Sequence, residues 1–273
     1  MNLDIRQLGA LRSSFDAPWV GVQDLFRTDD ITIVNLECAA GEGGAAQDKE
    51  YTFRCHHPAY NAMRAAGVEV AGQGNNHSMD FGPQAMLDGI ARLRAADVAP
   101  IGSGLNAAQA NAAHVVEIRG KKIAVLGFSA VVPSPSWLAG PHHPGLANGY
   151  DIANLQSAVR AASALADFVV VTIHMGVEKA TQPRASDIAR AHALVDAGAD
   201  VVFGHHTHVL QPLQIYKDRP IFFGLGNFVW PSGGATAVGE VVISPDGSVK
   251  ACLLPASIRG GRPALSPDAQ RCA

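Results

Sequence analysis

Short apolar runs alternate with Ala-rich amphipathic segments along most of the chain, and this alternation restricts the fold more than any other feature. The pattern predicts strands at about residues 31–34, 68–70, 115–118, 122–127, 168–173 and 201–203, and helices at about residues 58–66, 83–96, 152–165 and 185–197. Later segments at about 209–216, 220–223, 239–243 and 249–254 are typical of hairpin strands, with a turn at Asp246-Gly247. The sequence therefore predicts an α/β protein in which two packed sheets are flanked by helices.

The length and composition are compatible with one large α/β domain or with two smaller ones, and we favour one. The chain has 273 residues, of which 48% are hydrophobic and 16% charged, so it can bury a full core. We place this domain at residues 1–258. The tail at 259–273 is rich in Gly, Pro and Arg, and we expect it to be poorly ordered. The net charge of −3 shows no excess of basic residues that could bind nucleic-acid phosphates, so we expect no nucleic-acid partner.

The four cysteines and the apolar runs bear on the compartment. Cys38, Cys55, Cys252 and Cys272 are widely spaced and form no C-x-x-C pair, so we predict free thiols, which favour a reducing compartment. No run of about 18 apolar residues is long enough to span a bilayer. The segment that begins at Met1 lacks the basic and apolar regions of a signal peptide. As the sequence stands, we expect a cytoplasmic protein.

Three histidines lie within four positions directly after the predicted strand at 201–203. Residues two apart in an extended chain share a face, so His206 and His208 can point at one place, with His205 between strand and loop. Neutral imidazole is the commonest protein ligand for transition metals. The alternative is a solvated loop that happens to be rich in histidine.

Other strand ends carry matching chemistry. Glu37, Asn76 and His174 each follow a predicted strand, and ligands collect at the carboxyl ends of strands in open α/β sheets. A set of one carboxylate, one amide oxygen and several imidazoles suits Mn, Fe, Zn or Mg, as one or two divalent ions. The absence of cysteine ligands argues against a structural zinc.

Five motifs in this order and rough spacing resemble one protein family. They are Asn35-Leu36-Glu37, Asn75-Asn76-His77-x-x-Asp80-x-Gly82, His174-x-Gly176-x-Glu178, Gly204-His205-His206-x-His208 and Leu225-Gly226-Asn227-Phe228. The chain resembles the bacterial CapA-like family of capsule, or poly-γ-glutamate, synthesis proteins, which is similar to calcineurin-like metallophosphoesterases. The resemblance implies a metallophosphatase-like four-layer α-β-β-α sandwich with a metal centre at the strand ends.

The resemblance also implies roles for individual residues. The implied metal ligands are Glu37, Asn76, His174, His206 and His208, with His205 a candidate if the register shifts by one. His77 matches the non-ligand histidine that binds substrate and protonates the leaving group, and Asp80 can hold its other ring nitrogen. Asn35, Asn75, Glu178 and Asn227 are candidates for orienting ligands or contacting substrate. Glu178 is equally well explained as a solvated strand-end acid, and Asn227 as a residue that satisfies backbone groups in its turn.

One family feature has no counterpart in this sequence. Such proteins usually open with a strand that ends in Gly-Asp and supplies the first carboxylate to the metal. Asp16 and Asp24 are poor substitutes for that carboxylate. We expect either a start upstream of Met1 or a site that holds a single ion through the remaining ligands.

Two hypotheses for function follow from the resemblance. The first is a metal-dependent hydrolase-type enzyme of capsule or cell-envelope polymer biosynthesis, which uses metal-activated water with His77 as general acid. The second is a non-catalytic component that binds or assembles poly-γ-glutamate through the metal site. The expected partner is an anionic polymer or a phosphorylated small molecule. A relative with a decayed site ranks third, because the motif residues remain.

Overall fold

A computed structural model describes residues 1–272 of the chain. Its strands are β1 (Ile33–Asn35), β2 (Val70–Gly72), β3 (Ala99–Ile101), β4 (Ser103–Gly104), β5 (His114–Ile118), β6 (Lys121–Ser129), β7 (Gly145–Leu146), β8 (Phe168–His174), β9 (Val201–His205), β10 (Leu213–Tyr216), β11 (Arg219–Phe222), β12 (Gly234–Ile243), β13 (Val249–Arg259) and β14 (Arg262–Leu265). Its α-helices are α1 (Gly9–Ser13), α2 (Gln23–Phe26), α3 (Ala59–Ala65), α4 (Gly82–Ala95), α5 (Ala107–Ala110), α6 (Ile152–Ser163) and α7 (Ala185–Asp196). Every strand and helix predicted from the sequence overlaps one of these elements.

The largest sheet has six strands in the order β10-β11-β9-β8-β6-β5. Its centre, β6, β8 and β9, is parallel, with Val125 opposite Val170 and Val170 opposite Val201. These strands are mainly apolar because helices cover one face of the sheet and a second layer of strands covers the other.

The second layer consists of the parallel sheet β1-β2-β3 and the antiparallel sheet β12-β13-β14. Val70 and Ile101 pack against Val170 and Val201 of the six-stranded sheet, and Val241 of β12 packs against the same cluster. Outside the layers, α3 covers the small parallel sheet, and α6 and α7 cover the six-stranded sheet. The structure therefore confirms the predicted four-layer α-β-β-α sandwich.

A cleft separates β1 from β12, which are the end strands of their two sheets. Both strands line a space of about 650 Å³, with Phe203 on its wall and Glu37 at its rim. Met1 lies beside the carboxyl end of β1. Its ammonium group donates to the carbonyl oxygen of Asn35 at 2.9 Å, and its carbonyl oxygen accepts from the backbone N–H of Glu37 at 2.6 Å. These two bonds have the pattern of a parallel ladder.

Two predictions from composition were wrong. The cysteines form disulfides, Cys38–Cys55 and Cys252–Cys272, with Cα–Cα distances of 5.6 and 5.9 Å. Because the partners come together only through the fold, their sequence spacing gave no sign of pairing. The argument for a reducing compartment, which rested on free thiols, therefore loses its basis.

The tail from residue 259 was predicted to be poorly ordered, but β14 pairs with β13 in an antiparallel ladder. Arg271 forms an ion pair with Glu240, which lies on β12. Composition missed this segment because its high content of Gly, Pro and Arg carries no information on the pairing of β14 with β13 or of Cys272 with Cys252. None of the helices within residues 1–272 combines the length and the apolar character needed to cross a bilayer.

Candidate metal centre

The candidate site lies where strands of both layers end. Asn35 ends β1, and Glu37 follows it two residues later. In the six-stranded sheet, His174 ends β8 opposite His205, which ends β9. The turn after β9 then carries His206 and His208 into the same region. The parallel arrangement of β8 and β9 is what places their terminal histidines side by side.

Three side chains form a close group of potential ligands. One ligand atom each from Glu37, His206 and His208 lie within 4.8 Å of one another. The Glu37 Oε1 atom is 3.7 Å from His174 Nε2 and 3.7 Å from His208 Nε2. His174 and His206 have ring centroids 4.8 Å apart. Glu37 is thus at the centre of a ring of imidazoles.

Several potential ligand atoms of this group, and of the strand-end histidines His174 and His205 beside it, have no hydrogen-bond partner among the described residues. They are Glu37 Oε1, His174 Nδ1, His205 Nε2 and His206 Nδ1, and all four are buried. Buried polar atoms in native proteins are normally hydrogen-bonded, so such a concentration indicates an external partner. A mixed set of nitrogen and carboxylate oxygen fits a divalent transition-metal ion.

Burial adjusts the protonation of the imidazoles. It lowers the pKa of His205 to about 4 and lowers the pKa of His174 and of His206 as well. These rings are therefore neutral near pH 7, with a lone pair free for an ion. Burial raises the pKa of Glu37, but at the low pH where this carboxyl titrates the positive charge of the nearby imidazoles, chiefly His174, and of the N-terminal ammonium outweighs burial. The pKa of Glu37 is therefore below its ordinary value.

The turn that carries the histidines has an unusual backbone. His206 has a φ of 92° and His208 a φ of 58°, in the left-handed region that side chains seldom adopt. The carbonyl oxygen of Thr207 accepts a 2.7 Å bond from the N–H of Lys179, which fixes the turn. Non-glycine residues in this region cost on the order of 1 kcal/mol each and concentrate at functional sites.

Polar neighbours orient two of the rings. Asn227 Oδ1 lies 2.8 Å from His208 Nδ1. Because an amide oxygen only accepts, Nδ1 carries the proton and Nε2 is left facing Glu37. In the same way Asn76 Oδ1, 2.8 Å from His174 Nε2, accepts from that ring. The predicted ligand Asn76 is thus placed against the predicted ligand His174.

Asn35 and Asn75 connect the loops that follow β1 and β2. Asn35 Nδ2 donates to Glu37 Oε2 at 3.0 Å, and Asn75 Nδ2 donates to Asn35 Oδ1 at 3.1 Å. Asn75 Oδ1 in turn accepts from the N–H of His77 at 3.0 Å. This chain of amides ties the position of the carboxylate to that of His77.

His77 and Asp80 form a pair beside the cluster. His77 Nδ1 lies 2.7 Å from Asp80 Oδ2, and the Asp80 side chain is fully buried. The ring of Phe53 packs against the His77 ring with a centroid distance of 4.3 Å. His77 is close enough for its charge to act on both Glu37 and His206.

Sequence reasoning missed three residues of this region. Lys49 Nζ donates to Asp80 Oδ1 and to the carbonyl oxygen of Asn76, both at 2.7 Å. Phe53 stacks on His77, and the Trp230 ring lies 5.3 Å from the ring of His208. Lys49 and Phe53 belong to a loop without periodicity, so no pattern pointed to them. Trp230 could have been suspected because it closely follows the Asn227 motif.

Other predicted candidates lie beside the cluster or apart from it. Glu178 is exposed, and its charge acts on His206 only through space. Asp16 and Asp24 are also exposed, and neither belongs to the group of ligand atoms around Glu37. His205 lies on the wall of the cleft between β1 and β12, near the N-terminal ammonium.

The model of the family described as "Bacterial capsule synthesis protein PGA_cap" matches residues 2–232. The chain belongs to this capsule synthesis family. It is 31% identical over 223 residues to the capsule biosynthesis protein CapA of Bacillus anthracis, covering 79% of this chain and 54% of that protein. It is 31% identical over 215 residues to the PGA biosynthesis protein CapA of Bacillus subtilis, covering 78% and 56%. The chain thus spans about half the length of these curated relatives.

Solved structures similar to this capsule synthesis family member are distant in sequence. A phosphatase of Mycoplasma pneumoniae superposes with a TM-score of 0.57 at 16% identity, covering 91% of this chain and 89% of that one. The NAD nucleotidase of Haemophilus influenzae gives a TM-score of 0.57 at 15% identity, covering 88% and 49%. These likenesses confirm the metallophosphatase-like fold, and the family match confirms the resemblance drawn from the five motifs.

Proposed function

We propose that the chain is a metal-dependent hydrolase of capsule or other cell-envelope polymer biosynthesis. The observation that carries the proposal is the cluster of Glu37, His206 and His208, whose donor set includes buried atoms without protein partners. A proton-carrying pair, His77 and Asp80, lies beside it. A site for binding alone has no need of that pair.

We further propose that Glu37, His206 and His208 hold a divalent ion, with His174 and Asn76 beside them and His205 as the alternative. The nitrogen and oxygen donors suit Mn, Fe, Zn or Mg, as one or two ions. When bound, such an ion supplies Lewis-acid activation of water and of a phosphoryl or carbonyl oxygen. The neutral histidines favoured by burial are in the protonation state that binding requires.

His77 is the proposed general acid. The Asp80 carboxylate accepts from Nδ1 at 2.7 Å, which fixes the ring and leaves Nε2 for a substrate. Protonated at Nε2, the ring can give its proton to a leaving group, while Asp80 stabilises the imidazolium. Such a step contributes about a hundredfold or more to the rate.

The proposed substrate is anionic. The names of the relatives refer to capsule and PGA biosynthesis, which suggests a polymer, and the similar folds include a phosphatase and a nucleotidase, which suggests a phosphoester. Either a phosphoester or a carboxylate or amide group of an envelope polymer has an oxygen that a cation can hold.

The test compares His77→Ala with His142→Ala, which removes an exposed imidazole from a loop. Each protein is stripped of metal, reloaded with Mn²⁺, Fe²⁺, Zn²⁺ or Mg²⁺, and assayed with generic phosphoesters and with γ-glutamyl peptides. We expect His77→Ala to lower kcat about a hundredfold while metal content by mass spectrometry is unchanged. His142→Ala keeps the original rate.

Turnover that survives a chelator would contradict the proposal. The same samples are titrated with poly-γ-glutamate. Saturable, metal-dependent binding of the polymer without hydrolysis of any substrate would replace the hydrolase with the second hypothesis, a component that binds or assembles the polymer.

A further inference from the structure

The loop between Cys38 and Cys55 lies directly against the His77–Asp80 pair. Its ends are joined by the disulfide. Three groups of the loop bind Asp80: the Lys49 ammonium and the Phe53 N–H reach its carboxylate at 2.7 Å each, and the Gln47 N–H reaches its carbonyl oxygen at 2.8 Å. Asp80 is therefore held from outside its own loop.

Lys49 is the contact that joins two functional elements. Its ammonium group donates to Asp80 Oδ1 and to the Asn76 carbonyl oxygen at 2.7 Å each, and lies 3.3 Å from His77 Nδ1. Only 15% of its side chain is exposed, and the Trp137 ring covers it at 5.3 Å. A shielded ammonium with two short charge-assisted bonds is held far more firmly than an exposed one.

We propose that Lys49 is a positioning residue that sets the His77 ring and the Asn76 amide in one fixed arrangement. It binds Oδ1 of the Asp80 carboxylate, so that Oδ2 accepts from the His77 ring and from the Phe53 N–H. By binding the Asn76 carbonyl, it fixes the backbone from which the Asn76 amide reaches His174. The importance of this for catalysis rests on the proposed function, but the positioning itself does not.

The decisive measurement is nitrogen-15 NMR of the histidine rings in chelator-treated protein. In the unsubstituted protein we expect one set of His77 signals, with the proton on Nδ1, because the Asp80 carboxylate accepts from that nitrogen. We expect Lys49→Met to give averaged tautomers at His77, and Lys49→Arg to restore most of the original pattern. Lys217→Met, which removes an exposed ion pair with Asp196 far from the site, leaves His77 unchanged.

Two further readouts separate positioning from a general loss of stability. Lys49→Met is expected to weaken Mn²⁺ binding about tenfold by calorimetry and to lower kcat about tenfold with KM within about twofold. If Lys49→Met does not fold, Lys49→Gln removes the charge but keeps a hydrogen-bond donor and leaves Asp80 in place, and the same His77 signals are read in that variant.

Unchanged His77 signals in Lys49→Met, or in Lys49→Gln where Lys49→Met does not fold, would overturn the proposal. Failure of the proposed function has a different signature. If the original protein shows no turnover with any metal, the hydrolase assignment is lost, while the NMR comparison still decides the role of Lys49.

Discussion

The two halves of the candidate site differ in how their buried polar atoms are satisfied. Around Glu37 and His206, buried donor atoms have no partner among the described residues. Around Asp80, both carboxylate oxygens have partners in Lys49, His77 and Phe53. The first region is suited to take a ligand from outside the protein, and the second to hold its own side chains still. We expect mutations in the first to affect binding and mutations in the second to affect stability and ring orientation.

The largest expected effect is the loss of stability in Asp80→Asn. Removing a fully buried carboxylate leaves the Lys49 ammonium without its counter-charge, which should cost about 4 kcal/mol in the free energy of unfolding. Urea unfolding of metal-free protein measures this cost. Asp196→Asn, which breaks an exposed pair with Lys217, is the control and should cost less than about 1 kcal/mol. Similar losses in the two variants would remove the contrast between the regions.

Glu37→Gln tests the first region. The change keeps the shape of the side chain but removes the negative charge of the carboxylate that lies between His174 and His208. We therefore expect Mn²⁺ affinity to fall by more than about a hundredfold. Calorimetry on metal-stripped protein gives the affinity. Glu178→Gln neutralises an exposed acid near the same histidines and should change the affinity less than about twofold. Equal effects at the two positions would contradict the ligand role of Glu37.

The smallest effect is the pH dependence that His205 gives to stability. Its folded pKa of about 4 lies below the ordinary value of 6.5, so the unfolded chain binds the proton more readily between these values. The stabilising contribution is therefore complete above pH 6.5 and is lost as the pH falls towards 4. We expect His205→Gln to reduce this loss by about 2 kcal/mol, measured by urea unfolding of metal-free protein at pH 7, 5.5 and 4.5. A pH profile identical to that of the original protein would refute the assignment.

The residues that the sequence revealed are those at strand ends. Glu37, His174 and His206 each follow an apolar run, so periodicity located the strands and the fold class located their carboxyl ends. The fold class could be anticipated for the same reason, because apolar runs that alternate with amphipathic segments indicate a buried sheet flanked by helices.

The residues that the sequence concealed depend on contacts between distant segments. Lys49 precedes its partner Asp80 by 31 positions and lies in a loop with no repeat. The pairing of Cys38 with Cys55 could not be predicted from the sequence either, because spacing does not reveal which cysteines a fold brings together. The free thiols and the poorly ordered tail were predicted from local composition, which carries no information on such contacts.

The Cys38–Cys55 disulfide affects what happens when a protease cuts the chain. Residues 42–48 are exposed, and exposed loop tips of this kind are where proteases cut. A cut there would fall inside the covalent ring that the bridge closes, so the two fragments would stay joined until a reductant separates them. Lys49 would still be tethered through Cys55, close to the aspartate it binds.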